Sequence, residues 1–181
     1  LPRMSMVTTQ NRELIYDLAN VPQVIVKQYA AFTEKIREKK SVADTNEPTT
    51  IFPPRVAAAA LEKGLARPQE IYFCKNGKLK SSDANIGEAS GHKFGWMTMN
   101  DIIAKSSNIG VIKIAQQVGK KSFYEYIRKF GFGEKSGLSL PGESAGQLKA
   151  QKNWSNLSLA SISFGHEIAV TPIQMVSALS A

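Results

Sequence analysis

Three adjacent residues, Ser106, Ser107 and Asn108, have the residue types and spacing in this chain that best fit a catalytic site. Apolar side chains recur at helical spacing after them, from Ile109 to Val118, so the triplet falls at the junction of two predicted helices. Acyl transfer needs a hydroxyl nucleophile, a base that takes its proton, and donors that hold the oxyanion. Serine and asparagine are also common caps between consecutive helices. The triplet alone therefore leaves a catalytic and a capping interpretation open.

Two other serine motifs are candidates for a nucleophile. Gly142–Gly146 has the Gly-X-Ser-X-Gly pattern of the α/β-hydrolase elbow, in which a strand, a sharp turn and a helix expose the serine. No Asp or Glu lies between Ser144 and His166, and Pro141 suits a loop better than a central strand. We therefore predict a loop there. Ser90–Lys93 matches Ser-X-X-Lys, but its glycine and turn-rich surroundings argue against the helix that this motif requires.

Further motifs flank the triplet in a fixed order. Gly95–Thr98 precedes it, and Phe130–Gly133, Leu140–Glu143 and Ser163–Gln174 follow. In this order they resemble the transpeptidase domain of class B penicillin-binding proteins, which are serine acyl-transferases that react with penicillin. The resemblance runs in register from about Glu13 to the last residue.

The resemblance implies roles for the residues of the triplet. It assigns Ser106 to proton shuttling and Asn108 to holding a side-chain amide of the substrate, with Ser107 as a further substrate-binding residue. It also places the family's first motif, Ser-X-X-Lys, between Glu47-Pro48 and the alanine-rich segment Ala57–Gly64.

The first motif departs from the family pattern. Counted from either flank, Thr50 falls at the nucleophile position and Pro53 at the lysine position. A threonine hydroxyl can act as a nucleophile beside a base, but proline has no basic group and Arg55 stays protonated. The third motif, Lys-Thr-Gly or Lys-Ser-Gly on a strand, would follow the helix that begins near Thr171, whereas the sequence stops at Ala181. We therefore expect a piece of a longer polypeptide whose first motif is degenerate.

The predicted fold class is α/β of the penicillin-binding-protein transpeptidase type, mostly its helical part with a few strands and without the C-terminal strands of the sheet. We predict a single partial domain over residues 1–181. Capping boxes start two of the helices, and the two tryptophans are predicted in the core or on a groove wall. We predict a strand or strand pair over Val7–Ala19 and a strand at Ile71–Cys74. The capping boxes are Thr98/Asp101 and Ser122/Glu125. The predicted helices are Phe32–Lys40, Pro54–Gly64, Thr98 to near Ser106, Ile109–Val118, Ser122–Gly131, and one from Thr171 onward.

Composition excludes several classes of function. The 181 residues are 43% apolar, which is enough for one domain with a core. The net charge of +8 favours contact with an anionic surface or polymer. The basic residues are scattered, without a basic stripe or a recognisable module, so we predict no nucleic-acid binding. Cys74 is the single cysteine, and no cofactor or metal site is expected.

Taken together, the sequence predicts a peptidoglycan D,D-transpeptidase-family domain that cross-links the cell wall through an acyl-enzyme, incomplete as given. The alternative is a catalytically inactive binding or scaffold module of the same machinery. The resemblance implies peptidoglycan stem peptides as partners, β-lactams if the site is active, and membrane-bound proteins of elongation, division or sporulation. It also implies a periplasmic or extracytoplasmic location, with an inner-membrane anchor in the full-length protein.

Overall fold

The computed structural model describes residues 42–80, 84–138 and 142–180. These residues lie within one compact unit, which spans residues 35–181. The strand predicted at 7–19 and the helix predicted at 32–40 lie outside the described residues. The prediction of one domain over residues 1–181 therefore stays a prediction.

Helices dominate the described part of the chain, as expected for the helical part of an α/β transpeptidase. None of the helices in this part combines the length and the apolar character needed to cross a bilayer. The α-helices described are α1 (Pro53–Glu62), α2 (Met99–Ala104), α3 (Asn108–Val118), α4 (Lys120–Lys129), α5 (Ser158–Ser163) and α6 (Pro172–Ser180).

Helix α1 begins at two prolines, which occupy its first turn. Proline is tolerated there because the first N–H groups of a helix have no intrahelical partner. Four alanines follow, and three of them are buried. The helix ends at Lys63, and Gly64 adopts a positive φ of 64°, which glycine accommodates without strain. The structure thus confirms the predicted start at Pro54, within one residue, and the predicted stop at Gly64.

Helix α3 is the centre of the described core. Apolar residues occupy most of its circumference, and α1, α2, α4 and α5 all pack against it. Gly110, in its first turn, allows a close approach of α2. A Cβ atom at Gly110 would lie 2.5–2.8 Å from three side-chain atoms of Ile102 in α2. The small residue therefore sets the distance between the two helices that flank the triplet.

The strands among the described residues form three short antiparallel pairs. β1 (Ile71–Phe73) pairs with β4 (Trp96–Thr98), β2 (Lys78–Lys80) with β3 (Asn85–Gly87), and β5 (Gln147–Leu148) with β6 (Ile168–Ala169). The predicted strand at Ile71 is confirmed, although it ends at Phe73. The other strands were not predicted, because two or three residues are too few to show the alternation of apolar and polar side chains that indicates a strand.

The helix starts show which capping signals were informative. Thr98 and Asp101 form the predicted capping box of α2, each side chain accepting from the other residue's backbone N–H. The box predicted at Ser122 is wrong, because α4 starts at Lys120 after Gly119 and Ser122 lies within its first turn. α6 starts as predicted, and its Thr171 and Gln174 side chains cap one another's N–H groups.

The two tryptophans differ in their surroundings. Trp154 is 5% exposed and packs against Phe123 and Tyr124, as predicted for a core residue. Trp96 is 73% exposed and lies against Phe73 on the outer face of the β1–β4 pair, so it is not a core residue, and its place on a groove wall stays a prediction. The pairing of β1 with β4 turns alternate residues to opposite faces and leaves Trp96 on the outer one.

Candidate active site

Ser106 lies in the turn between α2 and α3. Its φ of 51° is in the left-handed region, which costs a non-glycine residue of the order of 1–3 kcal/mol. Its side chain is half-buried, and its hydroxyl makes no hydrogen bond within the described residues. The position predicted to shuttle protons therefore combines backbone strain with an uncommitted hydroxyl.

Ser107 is the N-cap of α3, and its hydroxyl is fully committed. Its Oγ accepts from the Gly110 N–H at 3.0 Å and donates to Glu88 Oε1 at 2.6 Å. The residue is 0% exposed. This burial does not fit the prediction that Ser107 contacts substrate, and it assigns the residue a positioning role in the helix start. The capping interpretation therefore holds for Ser107, and the catalytic interpretation stays a prediction for Ser106 and Asn108.

Asn108 is the first residue of α3 and is half-exposed. Its backbone N–H donates to Glu88 Oε2 at 2.7 Å, and its Nδ2 donates to the Gly87 carbonyl at 3.1 Å. A carbonyl can only accept, so the amide is turned with its nitrogen toward Gly87. The Oδ1 atom makes no hydrogen bond to any described residue, which leaves it as an acceptor for a ligand.

A buried thiol lies behind this junction. Burial raises the pKa of Cys74, with the nearby Glu88 carboxylate adding to the effect and the Ser107 hydroxyl opposing it. Because the thiol stays protonated and is 0% exposed, it fills the space beneath the helix start and is unsuited to act as a nucleophile.

The segment that corresponds to the first motif is a 3₁₀ helix, Thr49–Ile51, leading directly into α1. Thr50 is its middle residue. Phe52 follows with 0% exposure, and Pro53 is the first residue of α1. The backbone thus has a turn leading into a helix at the position predicted for the nucleophile. The residue three positions after Thr50 carries no basic group, as the sequence predicted.

The turn after α5 holds this segment in place. Glu47 Oε2 lies 2.8 Å from His166 Nδ1, and Glu47 Oε1 accepts from the Glu167 N–H at 3.2 Å. Gly165 has a φ of 87°, and a Cβ atom there would lie within 2.8 Å of three backbone atoms of Thr49. His166 and Glu167 therefore do not form an acid–base pair with each other. They anchor the start of the first-motif segment, a contact that sequence reasoning missed because it joins residues about 120 positions apart.

The Gly142–Gly146 segment is a loop, as predicted. The Ser144 N–H donates to the Val42 carbonyl at 2.8 Å, and the short strand β5 follows Ser144. Gln174 holds the loop from α6, because its Nε2 donates to the Ala145 carbonyl at 2.9 Å. A hydrolase elbow needs a helix directly after the serine, whereas the described residues after Ser144 enter a strand.

The two motif segments are connected through helix packing. α1, which begins after Thr50, packs against both α2 and α3, the helices that flank the triplet. Within the part of the chain that the structure describes, His, Cys, Asp and Glu side chains form no group of three or more that could hold a metal. At the triplet itself, the side chains offer two hydroxyl groups and one amide.

The sequence also matches a known protein family and its members. The family model described as "Penicillin binding protein transpeptidase domain" matches residues 6–181. The chain is 35% identical over 137 residues to penicillin-binding protein PbpB of Mycolicibacterium smegmatis, covering 76% of this chain and 21% of the relative. It is 31% identical over 166 residues to the probable peptidoglycan D,D-transpeptidase PbpC of Pseudomonas aeruginosa, covering 92% of this chain and 29% of that protein. The chain thus spans less than a third of the length of either relative.

Solved structures show the same likeness. The apo transpeptidase domain of Burkholderia pseudomallei penicillin-binding protein 3 superposes with a TM-score of 0.76 at 29% identity, covering 81% of this chain and 44% of that one. Penicillin-binding protein 3 of Mycobacterium tuberculosis, solved in complex with ampicillin, has a TM-score of 0.70 at 32% identity, covering 75% of this chain and 30% of that one. Together with the family match over nearly the whole sequence, these findings show that the chain belongs to the penicillin-binding protein transpeptidase family.

Proposed function

We propose that this chain is the part of a peptidoglycan D,D-transpeptidase that carries the stem-peptide-recognising second motif, Ser106 to Asn108. The observation that carries the proposal is the fixed amide of Asn108. Its nitrogen is committed to the Gly87 carbonyl, and its oxygen is left as an acceptor at the start of α3. A donor amide of a bound peptide is the complementary group for such an oxygen.

Ser106 supplies the second element of the proposal. Its hydroxyl can both donate and accept, so it can pass a proton from an attacking hydroxyl to a departing amine. A strained backbone is often found where function requires a fixed side-chain direction. The φ of 51° at this residue is consistent with that role.

The reaction class is acyl transfer. A hydroxyl oxygen attacks the carbonyl carbon of the penultimate residue of a stem peptide, an ester bond forms, and the C–N bond to the terminal residue breaks. The proton lost by the hydroxyl is delivered to the departing amine. An amine from a second stem then attacks the ester, which forms the cross-link and releases the hydroxyl.

A second candidate function is favoured by Pro53. Proline occupies the position of the family's lysine, and this position is the buried first residue of α1. Without a base beside it, the hydroxyl of Thr50 is a weak nucleophile. A domain with this first motif and an intact second motif would bind stem peptides without being acylated, as a module of the cell-wall machinery.

The remaining parts of the proposal concern surroundings and partners. β-Lactams are proposed ligands because the M. tuberculosis relative was solved with ampicillin. A periplasmic or extracytoplasmic location, an inner-membrane anchor in the full-length protein, and contacts with membrane-bound cell-wall proteins follow from the transpeptidase assignment. The net charge of +8 suits an anionic polymer such as peptidoglycan.

The intact mass of the polypeptide, purified from its native source, separates the two candidates. It is measured before and after incubation with a β-lactam. A gain of one drug mass, mapped by peptide analysis to Thr50, would establish the transpeptidase. Absence of an adduct, together with saturable binding of a soluble stem peptide with a D,D terminus, would establish the inactive module. Absence of both adduct and binding would reject the proposed function.

A further inference from the structure

Glu88 connects strand β3 to the start of helix α3. It follows β3 directly, and the residue is 8% exposed. Oε1 accepts from the Ser107 hydroxyl at 2.6 Å, and Oε2 accepts from the Asn108 N–H at 2.7 Å. The sequence analysis gave this glutamate no role, because the contact bridges about 20 residues of chain.

The two hydrogen bonds place a carboxylate at the N-terminus of an eleven-residue helix. This end of a helix carries a partial positive charge and unpaired N–H groups, so an acidic group is stabilised there. Hydrogen bonds to a charged acceptor are shorter and stronger than neutral ones. Glu88 therefore holds the helix start more firmly than the Ser107 cap would by itself.

The contacts of Glu88 and its neighbour Gly87 restrain Asn108 at two points. Glu88 binds the backbone N–H of Asn108, and the Gly87 carbonyl binds its side-chain Nδ2. Ser106, on the other side of Ser107, keeps its left-handed φ only if the residues after it are fixed. Ser106 and Asn108, the two partly exposed residues of the triplet, thus both lie next to Ser107, which Glu88 holds in place.

We propose that Glu88 is a positioning residue for the second motif, and that its carboxylate fixes the direction in which Asn108 presents its amide to a stem peptide. This inference rests on the proposed function for the identity of the ligand. The claim that Glu88 fixes the orientation of Asn108 does not depend on the ligand and can be tested without one.

The test compares Glu88→Gln with Glu143→Gln in the full polypeptide. Glu143 is a matched control because it is also 8% exposed and also accepts a backbone N–H, that of Ser136, at a place outside the triplet. The first measurement is the ¹H–¹⁵N spectrum of Asn108, backbone and side chain. The second is the affinity for a soluble stem peptide with a D,D terminus.

In Glu88→Gln, the Asn108 backbone amide should move upfield and exchange faster, because its N–H loses a charged acceptor. The side-chain NH₂ signals should shift as the amide loses its fixed direction. Peptide affinity should fall about tenfold, the loss expected for one hydrogen bond to a charged group. Glu143→Gln should leave the Asn108 signals and the affinity unchanged. Glu88→Asp keeps the charge but withdraws it by one methylene, so intermediate shifts are expected.

Asn108 signals in Glu88→Gln that coincide with those of the unaltered protein would overturn the proposal. Equal losses of peptide affinity in Glu88→Gln and Glu143→Gln would do the same. If Glu88→Gln does not fold, Glu88→Asp decides, and unchanged Asn108 signals there would overturn the proposal. A protein that binds no stem peptide, yet shows the expected Asn108 shifts, would reject the proposed function and leave the positioning role of Glu88 standing.

Discussion

The start of α1 and the junction between α2 and α3 are two motif segments of one transpeptidase-type domain. The junction has the residues of its family motif, whereas the start of α1 has the backbone shape without the predicted lysine. At the junction, Glu88, Ser107 and Asn108 form a connected set of hydrogen bonds, and the family's Ser-X-Asn residues are present. At the start of α1, the backbone has a turn that leads into a helix, and Pro53 stands where the family resemblance predicts a lysine. If the predicted alignment holds, the backbone geometry of the first motif has been kept while its chemistry has changed.

The physical reason is that different residues determine geometry and reactivity. Pro53 suits the first turn of a helix because its φ is fixed and its missing N–H costs nothing there. The segment before it is held from outside, by Glu47 and by the close approach of Gly165. None of these contacts requires a basic residue at position 53. At the junction, in contrast, the Asn108 side chain itself takes part in the hydrogen bonds that hold the backbone.

The greatest change should come from restoring a base at the start of α1. In Pro53→Lys the lysine would lie one helical turn from Thr50, and general base catalysis contributes about 10²–10⁴-fold. We expect β-lactam acylation at least ~100-fold faster than in Pro53→Met, which approximates the length of the side chain without its amine. Both variants lose the same proline rigidity, worth about 0.4–1 kcal/mol. Stopped-flow acylation measures both, and equal rates would show that position 53 does not adjoin the reactive hydroxyl.

The second effect tests whether the first-motif segment is held from outside. Gly165→Ala would combine a strained φ with a clash against the Thr49 backbone, and we expect a loss of about 3 kcal/mol in the free energy of unfolding. Gly131→Ala is the control, since Gly131 has a φ of 83° and a Cβ atom there would meet no described atom within 4 Å. That variant should lose about 1 kcal/mol. Urea denaturation gives both values, and similar losses would contradict a tight contact at Thr49.

The third effect concerns the serine that caps α3. Ser107→Ala removes an N-cap and leaves Glu88 with one partner fewer, so about 1–2 kcal/mol of stability should be lost. Ser122→Ala is the matched control, because Ser122 lies in the first turn of α4 and makes no cap. Its effect should stay within about 0.5 kcal/mol. The urea denaturation midpoints of the two variants measure the difference. Equal midpoints would show that the Ser107 cap does not stabilise the junction between α2 and α3.

The smallest expected effect is a pH dependence of the stability contributed by the capping box of α2, the helix that leads to Ser106. The Thr98 hydroxyl, followed by its backbone N–H, lowers the pKa of Asp101 below its ordinary value of 3.8. A lowered folded-state pKa stabilises the protein above the unfolded value, and this contribution is lost as pH falls through the folded-state pKa. The stability difference between the unaltered protein and Asp101→Asn should therefore be constant above about pH 5 and shrink below 3.8.

Urea midpoints of both proteins, measured from about pH 7 to about pH 2.5, check this prediction. A difference that stays constant over the whole range would show that the capping box does not depend on the charge of Asp101. The box of α6, formed by Thr171 and Gln174, contains no titratable group and offers an internal comparison within the same domain.

Much of the helical framework could be predicted from local signals. Prolines followed by alanines predicted α1, and the Thr98 box predicted α2, because these signals act within one turn of chain. Ser122 and Glu125 match the same pattern but do not form a box, since Gly119 ends α3 and α4 begins at once after it. The burial of Ser107 could not be predicted, because it depends on Glu88, which reaches the helix start from the end of a strand.

Residue types and their spacing were enough to establish which reactive groups are present. The chain carries the Ser106–Asn108 triplet, it has proline at position 53, and its motif order identifies the family. Which members of the triplet face outward depended on the packing of the whole domain. Ser107 turns inward to Glu88, Asn108 is turned by Gly87, and Gly165 approaches Thr49, because these contacts join segments that are distant in the chain and meet only when the core packs.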